Sequence, residues 1–369
     1  MKILFIGPLP NPITGQSLAC DLFLKELQKQ NHDVRIVNLN KDGLKRRLGH
    51  YSIFAKILKA VWMLRNFPDI IYFTISESRL GNFKDIIIYL ICYKNLKKMI
   101  IHLHGGSDMR QIMSKKNFIL YRINNFFLNR VAAVIVLGQR HLDIFSDSIP
   151  FDKIYIVPNF SEDCFYVSQD DIKKKFKIID SIRILYLSNL LPGKGYQELV
   201  DAFIAIPEDT RKKTRIDFAG DFASEADKSA FLSKILDCHQ IQYHGFVGGE
   251  VKADLLRRAH IFCLPSYGEG QPISILEAYA SGCVVITTND SGILDIFSDQ
   301  VNGFQVEKKS VADLRLKLEN VIAEQAQLLN IALRNSNTAM TNYRVSHFNA
   351  KLTHIIDTIY RGALKENII

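Results

Sequence analysis

The chain has 369 residues, of which 47% are hydrophobic and 23% charged, an ordinary globular composition that excludes intrinsic disorder. Its longest apolar run, Ile86 to Tyr93, is eight residues, well short of the roughly 20 that a membrane-spanning helix needs. The net charge of +9 is unevenly spread: residues 1–165 carry 23 Lys and Arg against 13 Asp and Glu, whereas the rest is near neutral with 24 against 25. That asymmetry points the first half toward an anionic partner: nucleic acid, anionic lipid or a phosphate-bearing substrate. The six cysteines lie far apart without paired spacing, which excludes a zinc cluster of the usual pattern and predicts buried free thiols. The apolar opening is too short for a signal-peptide core, so a cytoplasmic protein is expected.

The opening MKILFIGPLP predicts a strand that ends in a Pro/Gly turn. A helix is expected over about Ser17–Gln30, with Ser17 as its cap, and DVRIVNLN follows as an alternating strand. This is a βαβ unit and predicts a parallel sheet. Further buried strands are expected at 69–76, 98–105 and 132–138, and the character of the chain shifts after KIYIVPNF, 153–160. Residues 41–67 mix seven Lys and Arg with Tyr51, Phe54, Trp62 and Phe67, the pattern of a basic amphipathic helix at a membrane surface. A solvated helix packed on the first sheet would show the same pattern.

A polar segment, Ser161 to Asp180, contains Lys173, Lys174 and Lys175, read as a solvated linker helix. A second series of units follows. Strands are expected at SIRILYLSNL, RIDFAGDF, IQYHGFV, HIFCLPS and CVVITTN, with helices at GYQELVDAFIAI, VKADLLRRA and PISILEAYASG. From Ser310 onward the chain reads as helical. The fold class is α/β: two doubly wound parallel-sheet domains facing each other across a cleft, with ligands at the carboxyl ends of the strands. The expected boundaries are 1–163 and 164–345, with a final helix, about 346–369, crossing back to the first domain.

The loop and helix of SYGEGQPISILEAYASG carry the most chemistry. Glu269 lies in the loop, Pro272 suits the first turn of the helix, and Glu277 falls deeper within it. Backbone amides of Gly270, Gln271 and neighbours at the helix start favour a phosphate or diphosphate. A two-carboxylate hydrolase is the alternative use of these glutamates.

The segment from about Ser181 to Gly303 resembles the C-terminal domain of retaining GT-B glycosyltransferases, specifically glycosyltransferase family 4 (glycosyl transferases group 1). The matching blocks are LYLSNLLPGKGYQELVDAF, FAGDF, YHGFV, AHIFCLPSYGEGQPISILEAYASG and CVVITTNDSGILDIFSDQVNGF. The first half matches more loosely through GPLPNPITGQS, HLHGG, VIVLGQ and VPNF. The resemblance implies a nucleotide-diphosphate sugar as donor. It implies that Glu277 holds the donor ribose, that Glu269 lies near the donor sugar hydroxyls, and that Lys194 neutralises the diphosphate. Gly15 is implied to approach the donor phosphate. Gly245, Phe246 and Val247 are implied to form the loop that reads the base, and Pro272 and Ile273 complete the phosphate-binding helix start. Asn189 stands where the family often has Arg, which removes one positive contact to the diphosphate. His104 matches a histidine near the reacting sugar, with His102 expected on the opposite side of the strand. The family implies a front-face retaining mechanism, no metal, and hexosyl transfer to a glycan or polyprenyl-linked acceptor in bacterial surface polysaccharide synthesis, at an anionic inner-membrane surface. The alternatives are a nucleotide-binding GT-B partner subunit without transfer, or a basic membrane- or nucleic-acid-binding module. No recognisable nucleic-acid fold is present.

Overall fold

The structure is a computed structural model that describes residues 1–40, 50–177 and 180–366. Two compact units divide it: Met1–Asn159 with Ser346–Ile369, and Phe160–Val345.

The first unit runs β1 (Lys2–Gly7), α1 (Gly15–Lys29), β2 (Asp33–Asn38), α2 (His50–Leu64), β3 (Ile70–Thr74), α3 (Arg79–Ile91), β4 (Met99–His102), α4 (Ser107–Ile112), α5 (Phe118–Leu128), β5 (Ala133–Val136) and β6 (Ile154–Ile156). All strand pairings are parallel, in the order β2-β1-β3-β4-β5-β6. Every residue of β3, β4 and β5 is buried, as expected for strands covered on both faces. Right-handed crossovers place α2, α3 and α5 on one face of the sheet and α1 on the other.

The second unit runs α6 (Gln169–Lys177), β7 (Ile182–Leu187), α7 (Tyr196–Ile204), α8 (Glu208–Arg211), β8 (Thr214–Ala219), α9 (Glu225–Ile235), β9 (Ile241–Tyr243), α10 (Gly249–Arg258), β10 (Ile261–Leu264), α11 (Ile273–Ala280), β11 (Val284–Thr288), β12 (Gly303–Val306), α12 (Val311–Ala323) and α13 (Leu328–Asn342). Its sheet is also parallel, ordered β12-β11-β10-β7-β8-β9. The strand order reverses between β7 and β10, which makes the loops after these two strands the switch point where such sheets bind ligands. The chain closes with α14 (Val345–Glu366), whose residues from Ser346 belong to the first unit. There Phe348 lies 6.3 Å from the His102 ring, and Thr353 accepts from Gln30 at 3.3 Å. No helix among the described residues is long and apolar enough to cross a membrane.

Three local expectations are corrected. Thr14, not Ser17, caps α1; Ser17 is the third helical residue and completes a capping box, its hydroxyl accepting from the Thr14 N–H at 2.8 Å. Lys175 is not solvated: its ammonium donates to the carbonyls of Ala259 and Ser281, both at 2.8 Å, and burial lowers its pKa. Those carbonyls lie at the end of α10 and just after α11, so Lys175 ties α6 to both helices. Five cysteines are buried as expected, but Cys164 is exposed. Of the basic segment 41–67, residues 41–49 lie outside the described residues.

Asp85 is a charge inside the first core. It is buried on the inner side of α3, accepts the Ser76 N–H at 2.7 Å and has the Lys84 ammonium at 3.4 Å. Burial raises its pKa from 3.8 to about 6, against the opposing pull of Lys84 and Ser76. The folded state therefore holds this proton more tightly than the unfolded chain between pH 3.8 and about 6. Its contribution to stability rises as pH falls through that window. Asp85→Asn, which keeps an acceptor for Ser76, is expected to flatten this part of a plot of Tm against pH. An unchanged slope contradicts the assignment.

Candidate functional site

The switch point of the second unit is built by two loops pressed together. Gly195 has φ +74°, and a Cβ there would stand 2.1 Å from the Pro265 carbonyl oxygen, so only glycine allows the loop after β7 to lie on the loop after β10. The Gly193 carbonyl accepts from the Tyr267 N–H at 2.8 Å and the Ser266 hydroxyl at 3.3 Å. From beneath, the Tyr186 hydroxyl donates to the Asn189 and Lys194 carbonyls, both at 3.4 Å. This scaffold brings Lys194 Nζ to 2.7 Å from Glu269 Oε1. The lysine side chain keeps 26% of its surface exposed and the glutamate 11%, so the charge is held in place yet reachable. Asn189 is exposed at the start of the same loop.

Glu269 has a second anchor that sequence reasoning missed. Its N–H donates to Asp290 Oδ2 at 2.8 Å, and Asp290 Oδ1 accepts from Lys308 Nζ at 2.6 Å. The result is a row of alternating support, Lys194, Glu269, Asp290 and Lys308, in which each carboxylate has its own ammonium. Behind it lies Gly292, where a Cβ would stand 1.3 Å from the Gly270 carbonyl oxygen. The turn after β11 therefore packs backbone to backbone against residues 269–270.

Helix α11 starts at Ile273 with Pro272 at its N-cap position and no side-chain cap. Its first N–H groups have no partner within the helix, which suits the site to an anion. Gly270 is half-exposed, whereas Gln271 and Ile273 are buried beside it. Glu277, one turn further on, is only 1% exposed, and its Oε1 accepts from Lys252 Nζ of α10 at 2.6 Å. A buried carboxylate needs such a partner, and Lys252, which also lies 4.8 Å over the Phe165 ring, was not foreseen.

The loop after β9 is pinned to β8. The Gly245 carbonyl accepts from the Gly220 N–H at 2.8 Å, and Gly245 itself has φ +68°. His244 Nε2 lies 2.6 Å from Asp217 Oδ1. Val247 is half-buried against the core, whereas Phe246 is 55% exposed and thus open to a stacking partner.

In the first unit, the corresponding loops follow β1, β3 and β4. Gly15 opens α1, and Gln16 Nε2 ties that helix to the Ile75 carbonyl at 3.2 Å. His104 and His102 do not face opposite ways. Residues two apart share one side of a strand, and their ring centroids lie 3.9 Å apart with the planes tilted by 33°. Below them, the Tyr72 hydroxyl bonds His102 Nδ1 at 2.5 Å. Among the described residues, His102 Nε2 and both His104 ring nitrogens are buried without a hydrogen-bond partner. Burial pushes His104 down to about 3 and His102 well below its ordinary value, so both rings are neutral near pH 7. Glu77, also missed, accepts the Gly106 N–H at 2.9 Å, and a Cβ on Gly105 would overlap its carboxylate. Among the described residues, no three of His, Cys, Asp or Glu gather to hold a metal ion.

Residues 168–338 match the family described as glycosyl transferases group 1, which bears out the resemblance read in the sequence over most of the second unit. CapM, a capsular polysaccharide biosynthesis glycosyltransferase of Staphylococcus aureus, is 22% identical over 325 residues, covering 81% of this chain and 83% of the relative. An N,N'-diacetylbacillosaminyl-diphospho-undecaprenol alpha-1,3-N-acetylgalactosaminyltransferase of Campylobacter jejuni is 27% identical over 149 residues. That match covers 40% of this chain and only 38% of the relative. Among solved structures, HepE of Anabaena in complex with UDP and glucose has a TM-score of 0.70 at 18% identity, covering 97% of this chain and 100% of that one. This likeness shows the fold, GT-B.

Proposed function

We propose that the protein is a retaining hexosyltransferase of family 4, moving a sugar from a nucleotide-diphosphate donor to a glycan or lipid-linked glycan. One observation carries the reading. At the switch point of the second unit, an accessible lysine, an uncapped helix N-terminus and two glutamates converge. In this reading Lys194 and the first amides of α11 meet the diphosphate, and Glu277 takes the ribose. Glu269, shared between Lys194 and the sugar, orients the hydroxyls. The loop Gly245–Val247 meets the base, with Phe246 stacking on it. When the glycosidic bond breaks, negative charge builds on the leaving diphosphate, and a fixed ammonium stabilises that charge more than it stabilises the bound donor. The leaving phosphate oxygen accepts the acceptor proton on the same face. No metal ion is needed for these steps.

Gly15 and His104 of the first unit are assigned to the donor phosphate and the reacting sugar. With its pKa near 3, His104 acts as a neutral hydrogen-bonding group rather than as a cation. The setting is bacterial surface polysaccharide synthesis at the cytoplasmic face of the membrane. The CapM relative and the undecaprenol-linked specificity of the Campylobacter relative support that setting.

The test is to incubate the protein with a panel of nucleotide sugars and a lipid-linked acceptor mixture. The reading expects one donor to be consumed with release of its nucleoside diphosphate, and the new linkage to keep the donor's anomeric configuration by NMR. Inversion contradicts the retaining assignment. Nucleotide binding without turnover of any donor favours a non-catalytic partner subunit, in line with the uncharged Asn189.

A further inference from the structure

We infer that the outer face of α3 and α5 is a docking surface for an anionic lipid bilayer, which deepens the proposed lipid-linked reading by placing the contact on this chain. The inner face of α3 is committed to the core through Asn82, Asp85, Ile86 and Tyr89. Its outer face should then be polar, but Leu80, Phe83, Ile87 and Leu90 recur there at helical spacing, with Leu80 88% and Phe83 60% exposed. A helix apolar on both sides has a second apolar environment to enter. Helix α5 repeats the pattern with Ile119, 72% exposed, and Phe126.

The two helices form one surface. Asn82 and Asn124 exchange a pair of side-chain amide hydrogen bonds at 2.9 and 3.0 Å, and the Tyr93 and Phe126 rings stack 8° from parallel. The exposed apolar side chains sit among cations. Residues 79–98 and 115–130 hold nine Lys and Arg and a single acid, the buried Asp85; two of the nine are engaged, Lys84 by Asp85 at 3.4 Å and Lys115 by Asp147 at 2.9 Å, which leaves a net positive face. The Arg130 and Arg122 guanidiniums lie 3.9 and 5.2 Å from the rings of Phe126 and Phe118.

Charge complementarity selects the occupant. A second copy of this chain would set these cations against the same cations. An anionic bilayer offers phosphates at the level of the guanidiniums and an acyl boundary for the side chains between them. Aromatic rings with a charged neighbour suit that depth.

The full chain is to be sedimented with vesicles of phosphatidylcholine, with and without phosphatidylglycerol. Binding is expected only with phosphatidylglycerol and is expected to weaken as salt rises. The doubly substituted Phe83→Ser, Leu90→Ser protein should bind about tenfold more weakly or worse, with its Tm retained, because both side chains already stand in water. Should that variant misfold, Arg122→Glu with Arg130→Glu, both exposed, makes the same test and should abolish the salt-sensitive part. Equal binding to both vesicle types, or undiminished binding by the variants, overturns the proposal. So does a dimer in solution that the serine variant dissolves, which would make the face a contact between copies. Nucleotide-induced stabilisation, measured in parallel, separates the two readings. Its presence without vesicle binding defeats the docking proposal alone, and vesicle binding without it defeats the donor site alone.

Discussion

Replacing Lys194 with alanine is expected to lower kcat/KM for sugar transfer by roughly 10²–10³, the usual effect of removing one fixed group that stabilises developing negative charge. The lysine is held by Glu269 at 2.7 Å and positioned by a loop whose own carbonyls are tied to Tyr186 and Tyr267. It therefore needs little rearrangement when the diphosphate leaves. Most of the loss should fall on kcat, because the charge it neutralises is larger in the transition state than in the bound donor. Some stability should be lost as well, because Glu269, only 11% exposed, is left without its ammonium, and a Tm measurement separates that loss from the loss in kcat. Asn189 has no charge with which to take over the task. A variant with wild-type kcat/KM removes Lys194 from the site.

Gly292→Ala should be the most damaging small substitution in the second unit. The new Cβ would stand 1.3 Å from the Gly270 oxygen and 2.5 Å from the Glu269 oxygen. Both are backbone atoms, so no side-chain rotation relieves the overlap and one loop must move. Moving residues 269–270 breaks the hydrogen bond from Glu269 to Asp290 and disturbs the Lys194 pair at once. The expected cost is about 2–4 kcal/mol, typical of forced overpacking at a constrained position. For a unit of this size that is a fall of roughly 5–15 °C in Tm. Nucleotide affinity should fall with it, by about tenfold or more. Gly268→Ala, two residues from the same loop's centre, meets nothing within 4 Å and is the control that should be tolerated. If Gly292→Ala matches that control in Tm and affinity, the loop packing described above is wrong.

The parts of this account that were legible in the sequence share a physical cause. Strands buried on both faces leave continuous apolar runs, so β3, β4, β10 and β11 announce themselves. Lys194, Glu269 and Glu277 lie in local segments with a recognisable order, and the structure places each at the carboxyl ends of β7 and β10 or in the helix that follows. Their partners were hidden. Lys252 reaches Glu277 from another helix, and Lys308 reaches Asp290 across 18 positions. Such pairs are made by tertiary packing and leave no local pattern. The turn Asn289–Gly292 could have drawn notice as a loop, but nothing in it says which backbone it touches.

Helix α3 escaped notice because its apolar outer stripe erases the one-sided periodicity by which surface helices are recognised. Alternation along HLHGG suggests opposite sides for its two histidines, but residues two apart on a strand share a face, and the close approach of their tilted rings follows from that rule. The run Lys173–Lys175 looked uniformly solvated because helical phase alone decides that only its last member turns inward.

The central claim is that the second unit binds a nucleoside diphosphate through Lys194, the start of α11 and Glu277. Its most direct test is the thermal stability of the wild-type chain and of Glu277→Gln with UDP, GDP, ADP and CMP. Glutamine keeps an acceptor for Lys252, so the variant should fold. One nucleotide, at a hundred times its Kd, should stabilise the wild type by about 2.7 kcal/mol. The same nucleotide should leave Glu277→Gln nearly unshifted. If none of the four shifts the wild type, or if both proteins shift alike, the second unit does not hold its ligand in this way.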